Sequence, residues 1–364
     1  VTDVLEPAPS QPTVLRQPGA RPGCQLALSP DDNRTLAPLL TELAREFDTI
    51  EDAELMRQAP RLAAALPPHL VQFLEDFRLR EPVALCLVSG LEISEERLGP
   101  TPVHWRDSQY ASPAFPQEIF FLLCASVLGD VFGWATQQDG RIMHDVLPIK
   151  GHEYVELGSN SLQHLSWHTE DAFHPCRGDY VALMCLKNPD AVATVMCDAA
   201  DIDWSAVDIE ALFEAEFTQM PDNSHQPQNA AESTGDPTID RLRARSFQLI
   251  QSWNDLPVKR PVLFGDRDDP YMALDPYHMK TDGWPPRSLR AFHGLCGQIE
   301  ANMKDIRLRP GDIAFIDNYR AVHGRRSFRA RYDGTDRWLK RLNITRNLRG
   351  SRAWRPAADN RVIY

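Results

Sequence analysis

Residues 161–171 read SLQHLSWHTED, and whether this run is strand or helix decides the fold. Leu162, His164, Ser166, His168 and Glu170 alternate with Gln163, Leu165, Trp167 and Thr169, and the run heads into Pro175. A period of two belongs to a strand. On a strand, His168 and Glu170 share a face with Cα atoms about 6–7 Å apart, from a rise of ~3.3 Å per residue. Their imidazole and carboxylate can then converge on one ion, while Asp171 points the other way. His174, were the strand to continue, would lie roughly 20 Å from His168 and could not share that ion. A helix would instead pair Glu170 with His174.

The strand reading extends in both directions. EPVALCLVSGL (81–91), PVLFGD (261–266), DIAFIDNYRAVHGR (312–325) and WLKRLNITRN (338–347) are short apolar runs between turn residues. GDYVALMCLKNPD (178–190) and AVATVMCD (191–198) predict a hairpin about Asn188-Pro189-Asp190. Many short strands with turn signals predict a mainly β sandwich or barrel. Flanking helices are expected over 35–47, opened by Ser29-Pro30-Asp31-Asp32, and over 68–78, 112–132, 205–216 and 286–303. The 112–132 helix is apolar nearly all round and should pack deep against a sheet. The expected organisation is a flexible, Pro-rich segment at 1–24, one elaborated domain over 25–355 and a tail at 356–364. MPDNSHQPQNAAESTGDPTID (220–240) is a long polar connection and reads as a lid.

With 364 residues, 43% of them hydrophobic, the chain can bury a large core. A net charge of −12 without a basic stripe argues against nucleic acid as a partner. No apolar run reaches membrane-spanning length and none resembles a signal peptide, so no membrane partner is expected. Seven scattered cysteines, odd in number and without a CxxC, predict free thiols and a cytoplasmic protein.

Two ligands do not make a site. The candidate third is His323, which follows the apolar run DIAFID and precedes Gly324. Two imidazoles and a carboxylate form the facial triad of non-haem Fe(II) oxygenases, which leaves positions open for substrate and oxygen. Arg337 and Arg341 follow His323 by fourteen and eighteen residues, and their even separation puts both on the strand face of Leu339. A guanidinium fork suits a dicarboxylate co-substrate, and a second one nearby suits a second carboxylate.

With WHTEDAFHPCRGDYVALMCLKNPD (167–190), VHGRRSF (322–328) and RWLKRLNITRNLR (337–349), the chain resembles the clavaminate-synthase-like Fe(II)/2-oxoglutarate oxygenases. Within that branch it is most similar to the amino-acid β-hydroxylases, including the arginine hydroxylases of viomycin and streptolidine biosynthesis. The resemblance spans roughly residues 80–355 and includes HxE where most 2-oxoglutarate oxygenases carry HxD. It implies a double-stranded β-helix, a distorted jelly roll, with flanking helices. It implies Fe(II) on His168, Glu170 and His323, 2-oxoglutarate on Arg337 with Thr194, and O2 as oxidant. It also implies a small amino-acid substrate, with its α-carboxylate on Arg341. The α-amino group would meet Gln137, Leu157-Gly158-Ser159 and the second Glu170 oxygen. Asp266 and Asp268 would take a guanidinium, making L-arginine the first substrate, hydroxylated at Cβ, or at Cβ and Cγ, for an antibiotic precursor. Asparagine or another polar amino acid is second.

Plainer readings stand beside these. Asp171 and His174 read as structural, as do His144, His152 and His164. Gly-Asp-x-Asp-Asp-Pro around Asp266 and Asp268 is also a good turn sequence. Two other function classes are a zinc hydrolase using His168, His174 and His323, and a non-catalytic jelly-roll binding protein. The first predicts no role for Arg337; the second leaves the complete triad unexplained.

Overall fold

The computed structural model describes residues 13–14, 24–108, 112–227 and 233–364. The segment expected to be flexible, 1–24, lies almost wholly outside these residues, as does 228–232 of the expected lid. Eleven strands build the frame: β1 (Cys24–Ala27), β2 (Leu85–Ser89), β3 (Asp130–Trp134), β4 (Met143–Val146), β5 (Leu165–His168), β6 (Tyr180–Lys187), β7 (Thr194–Asp198), β8 (Lys304–Ile306), β9 (Ile313–Asp317), β10 (Ala321–Arg325) and β11 (Trp338–Thr345). The larger sheet runs β1-β2-β9-β6-β11-β3, with β4 also on β11, and the smaller runs β8-β7-β10-β5. All pairings are antiparallel except β1 with β2.

The two sheets face each other across Leu183, Cys185, Met196, Ala314, Ile316 and Leu339. The other face of the larger sheet is covered by helices. On β6, Tyr180, Ala182, Met184 and Leu186 pack into that helical side, while Leu183 and Cys185 face the smaller sheet. Burial on both faces is why this strand is a continuous apolar run rather than an alternating one. This is the expected double-stranded β-helix with flanking helices.

Helices α1 (Pro30–Glu46), α2 (Ala53–Leu62) and α3 (Pro68–Arg80) stack on α4 (Phe115–Leu128), which itself lies on the larger sheet. α4 is enclosed on every side, hence its apolar circumference. Ser29 and Asp32 close a capping box at the start of α1. α4 ends four residues earlier than expected: the chain passes through Gly129, where a Cβ would meet the Thr345 carbonyl oxygen at 2.4 Å, and enters β3 at Asp130.

Other differences have local causes. β6 and β7 are not a hairpin: the Asn188-Pro189-Asp190 turn carries the chain from one sheet to the other. Asn188 closes that turn by bonding both the N–H and the carbonyl of Val192. The expected 205–216 helix contracts to Ile209–Phe213. Part of the expected lid is instead helix α5 (Pro237–Asp255), capped by Asp236, and the expected 286–303 helix is α6 (Pro286–Ala301). Within the expected C-terminal tail, Val362–Ile363 adds a short parallel strand to β3.

β10 and β5 lie close together beside the candidate triad. His323 pairs with His168 in register, and a Cβ at Gly324 would meet Leu165 O at 2.6 Å and Trp167 N at 3.1 Å. Gly324→Ala is therefore expected to force the two histidine-bearing strands apart, costing about 1–3 kcal/mol as overpacking does. Bound iron per chain and the thermal midpoint should both fall; a variant that keeps full iron content would show that the strands tolerate the methyl group.

Candidate active site

β5 delivers His168 at its last position. The chain then leaves the strand in a turn over 170–173, with Asp171 at a left-handed φ of 50°, and the Glu170 carboxylate lies beside His168. Asn318, fully buried, holds this turn: its Oδ1 accepts from Glu170 N–H at 2.8 Å and its Nδ2 donates to the Glu170 carbonyl at 3.0 Å. His323 arrives from β10 on the facing strand. Glu170 Oε2 lies 3.5 Å from His168 Nε2 and 3.3 Å from His323 Nε2, and the three ligand atoms all fall within 4.8 Å of one another.

These donors fit a divalent cation. His168 Nδ1–H donates to the Ser166 carbonyl at 2.8 Å, which turns the Nε2 lone pair inward. Burial pulls His168 down, but the hydrogen bond to Glu170 and the charges of Asp275 and Glu170 outweigh it and push it up to about 10. Burial alone would raise the Glu170 carboxyl; the Arg341 guanidinium and the two histidines hold it well below the usual carboxylate range. Glu170 thus favours a proton on His168, while burial and the charge of His168 pull His323 down, and a metal ion supplies the positive charge in place of that proton. Two nitrogens and one carboxylate oxygen are the donor set suited to Fe(II).

Arg337 stands just before β11 and Thr194 begins β7, in the opposite sheet. Arg337 Nη2 donates to Thr194 Oγ1 at 3.3 Å across the gap, and its Nε has no partner. Among the described residues no carboxylate pairs with Arg337, and burial pushes its guanidinium down to about 10. A buried cation without a counter-charge is an anion site in waiting. Both groups line the same cavity as the triad.

Arg341 lies on the same face of β11 as Leu339. It donates to Glu170 Oε1, to Gln137 Oε1 at 2.9 Å and to His144 Nδ1 at 2.8 Å. His144 can accept because its Nε2–H is spent on the Arg141 carbonyl at 3.0 Å, while burial and Arg341 hold the ring well below its usual value and so neutral. Gln137 is buried despite its loop sequence and donates to Ser224 Oγ at 2.6 Å. Leu157 and Gly158 line the cavity wall; Ser159 faces the adjoining pocket and lies 2.8 Å from His152 Nδ1.

The structure does not bring Asp266 and Asp268 to the cavity. They are exposed at the tip of a hairpin, where Asp266 Oδ1 accepts from Asp268 N–H at 2.9 Å, and Asp269 pairs with Arg320. The turn reading of that sequence wins. The aspartates that line the cavity are Asp222 and Asp275, joined there by Ser224 and His278.

His174 is no metal ligand of this site. It is buried among Trp134, Trp253 and Trp354, and its Nδ1 accepts from Cys176 N–H at 3.0 Å. This removes the histidine that a zinc hydrolase of the expected kind requires. Asp171, Asp222 and His225 form a second cluster within 4.8 Å. There Asp171 is saturated by Trp134 Nε1–H at 2.6 Å, His225 Nε2 at 2.9 Å and Gln137 Nε2 at 3.3 Å. The cluster clamps the 222–225 segment to the turn that carries Glu170. Asn318, Asp222, His225, Asp275 and His278 were all missed by sequence reasoning. Only Asp222 and His225 gave a hint, as charge-bearing residues inside the stretch read as a lid.

A model of the taurine catabolism dioxygenase TauD, TfdA family matches residues 125–343. An L-ornithine/L-arginine 3-hydroxylase of Catenulispora acidiphila is 73% identical over 93% of this chain and 99% of its own. An enduracididine beta-hydroxylase of Streptomyces hygroscopicus is 44% identical with the same coverage. The crystal structure of the non-heme iron oxygenase OrfP with Fe, succinate and (3S)-hydroxy-L-Arg superposes with a TM-score of 0.86 at 42% identity, covering 93% of this chain and 99% of that one.

Proposed function

The chain belongs to the TauD, TfdA dioxygenase family and is an Fe(II)/2-oxoglutarate-dependent oxygenase, and we propose that it hydroxylates free L-arginine or L-ornithine at Cβ, as a step toward an antibiotic building block. The observation that carries the substrate reading is the pair Asp222 and Asp275 in the cavity shared with the triad. Two carboxylates there find a counter-charge in a cationic side chain, whereas the carboxamide of asparagine offers them only neutral N–H donors.

His168, Glu170 and His323 hold the iron in this reading. Fe(II) with 2-oxoglutarate and O2 supplies the oxidation that replaces a substrate C–H by C–OH, with succinate and CO2 as co-products. Arg337 and Thr194 anchor the far carboxylate of 2-oxoglutarate. Arg341 takes the substrate α-carboxylate, and Gln137 with Glu170 Oε1 orients the α-amino group. Anchoring both ends of the amino acid fixes Cβ relative to the metal, which is where positioning gains rate. The 220–227 segment, held by the His225–Asp171 bond, covers the cavity with Asp222 and Ser224 and acts as a lid against water. No helix among the described residues is long and apolar enough to cross a membrane. A cytoplasmic setting is proposed on the seven free cysteines.

Succinate release with 2-oxoglutarate and O2, measured across the twenty free L-amino acids with mass spectra of the products, tests the proposal. Stimulation by arginine or ornithine with a gain of 16 mass units, about one oxygen, is expected. Stimulation by asparagine alone would retire the acidic-pair argument. Asp275→Asn is expected to lower kcat/KM for arginine about 10–100-fold, the worth of one hydrogen bond to a charged group. Asp266→Asn should leave it unchanged, and the reverse order would restore the hairpin aspartates as the binding pair.

A further inference from the structure

Resting on the reading of Arg341 and Gln137 as the grip on the amino-acid end of the substrate, we infer that Gln138 is a positioning residue. Its side chain locks the loop that carries Gln137 to the strand that carries His144, and so fixes the two neutral acceptors that aim Arg341.

Arg341 shows why their placement matters. Besides the bond from Nη1 to Glu170 Oε1, its Nη2 donates to Gln137 Oε1 at 2.9 Å and to His144 Nδ1 at 2.8 Å, while its Nε is buried without a partner. Neutral acceptors orient a guanidinium without adding a second counter-charge to that of Glu170, so the cation keeps its attraction for a substrate carboxylate. One nitrogen can serve two acceptors only if both stand in fixed places. They come from different elements. His144 lies on β4, in register with Arg341 on β11, whereas Gln137 lies in the loop between β3 and β4.

That loop is not a conformation the chain holds by itself. Gln138 and Asp139 sit at φ of 40° and 62°, left-handed values that residues other than glycine rarely adopt, and Gly140 follows at 85°. Such backbone persists where the surroundings over-determine it, and it collects at functional sites. Gln138 supplies one of the restraints. Among the described residues β4 pairs with β11 alone. Beyond that pairing, Gln138 Oε1 accepts from Asp145 N–H at 3.0 Å and Gln138 Nε2 donates to the Asp145 carbonyl at 2.8 Å. One carboxamide thus serves both backbone groups of one residue, as a neighbouring strand would. Asp145 directly follows His144, and Gln138 directly follows Gln137, so this pair of bonds sets the two acceptors of Arg341 relative to each other. Two further restraints fall on Asp139: its carboxylate accepts from Arg106 Nε–H at 3.1 Å and its carbonyl from Arg243 Nη2–H at 3.0 Å. They hold the loop to the 105–108 turn and to α5; Gln138 holds it to β4.

The test compares the iron-loaded wild type, Gln138→Gly and Gln138→Ala. It measures kcat and KM for arginine and ornithine, succinate released per hydroxylated product, the 2-oxoglutarate Kd by anaerobic titration, and the thermal midpoint. Both variants lose the carboxamide, but glycine accepts a left-handed backbone and alanine does not. Gln138→Gly is expected to raise the amino-acid KM about 10-fold, the fold-change of one to two hydrogen bonds, with the 2-oxoglutarate Kd within about 2-fold of wild type. A substrate held loosely beside the metal is also hydroxylated less faithfully, so succinate per product should rise above the wild-type ratio. The thermal midpoint should stay near that of the wild type. Gln138→Ala should show the same KM and melt earlier. A Gln138→Gly protein with wild-type KM and wild-type coupling would leave Gln138 a brace for the loop, and a 2-oxoglutarate Kd lost in parallel would mean a general disturbance of the site; either overturns the inference while the substrate reading stands. A wild type that hydroxylates neither amino acid overturns the substrate reading and this inference together.

Discussion

Glu170→Ala is expected to reduce arginine-dependent succinate release by more than ~1000-fold and to strip iron from the protein. Loss of an outer partner of a metal site already removes about 10–100-fold, and Glu170 is a direct ligand. It contributes the single negative charge of the donor set, the atom within 3.5 Å of both histidines, and the counter-charge of Arg341. Removing one partner of a buried ion pair costs about 3–5 kcal/mol, so the alanine variant should also melt earlier. Glu170→Gln separates the two effects. Its amide oxygen still accepts from Arg341, so folding should be nearly retained while iron and turnover are lost. Iron content, thermal midpoint and succinate release are the three readouts. A Glu170→Gln protein that keeps iron and turnover would sink the triad.

What could be read from the sequence follows the range of the interactions involved. The strand at 165–168 and the shared face of Leu339 and Arg341 were legible as local periodicities, but Glu170 reaches His168 from the turn after β5 rather than along it, and Arg337 joins Leu339 and Arg341 on the cavity wall from just before β11. The start of α1 was legible for a similar reason, since a capping box spans four residues. The β6–β7 connection was misread because Asn-Pro-Asp makes the same tight turn whether the chain stays in its sheet or crosses to the other. Only the partner strands decide, and they are more than a hundred residues away in sequence. Asp266 and Asp268 were misplaced because a spacing of two means a shared face on a strand but not at a hairpin tip. The residues missed outright share one property. Asn318 meets Glu170 across 148 residues and His225 meets Asp171 across 54, so no local pattern announces them. Gln137 came from the family resemblance alone; its loop sequence gives no sign of the burial the structure places it in.

Arg337→Met separates function from stability in opposite directions. The wild-type guanidinium is 6% exposed, bonds Thr194 at 3.3 Å, leaves Nε unpartnered and is pushed down only to about 10, so it stays charged at neutral pH. A buried charge without a counter-ion carries a desolvation penalty of several kcal/mol, and replacing it with an apolar side chain of similar length is often neutral or stabilising. The metal-free variant should therefore melt at or above the wild-type temperature. Binding 2-oxoglutarate delivers the missing carboxylate, and losing one partner of a buried, hydrogen-bonded charge pair is worth about 2–5 kcal/mol in affinity. The KM for 2-oxoglutarate should rise at least ~30-fold. Ligand-induced stabilisation follows RT ln(1 + [L]/Kd), so 2-oxoglutarate should raise the melting temperature of the metal-loaded wild type and barely move that of the variant. Thr194→Val, which keeps the charge and removes one acceptor, should fall between the two. An Arg337→Met protein with an unchanged 2-oxoglutarate shift would mean that the carboxylate is held elsewhere in the cavity. A variant that instead melts well below wild type would mean that Arg337 already has a counter-charge in the folded protein.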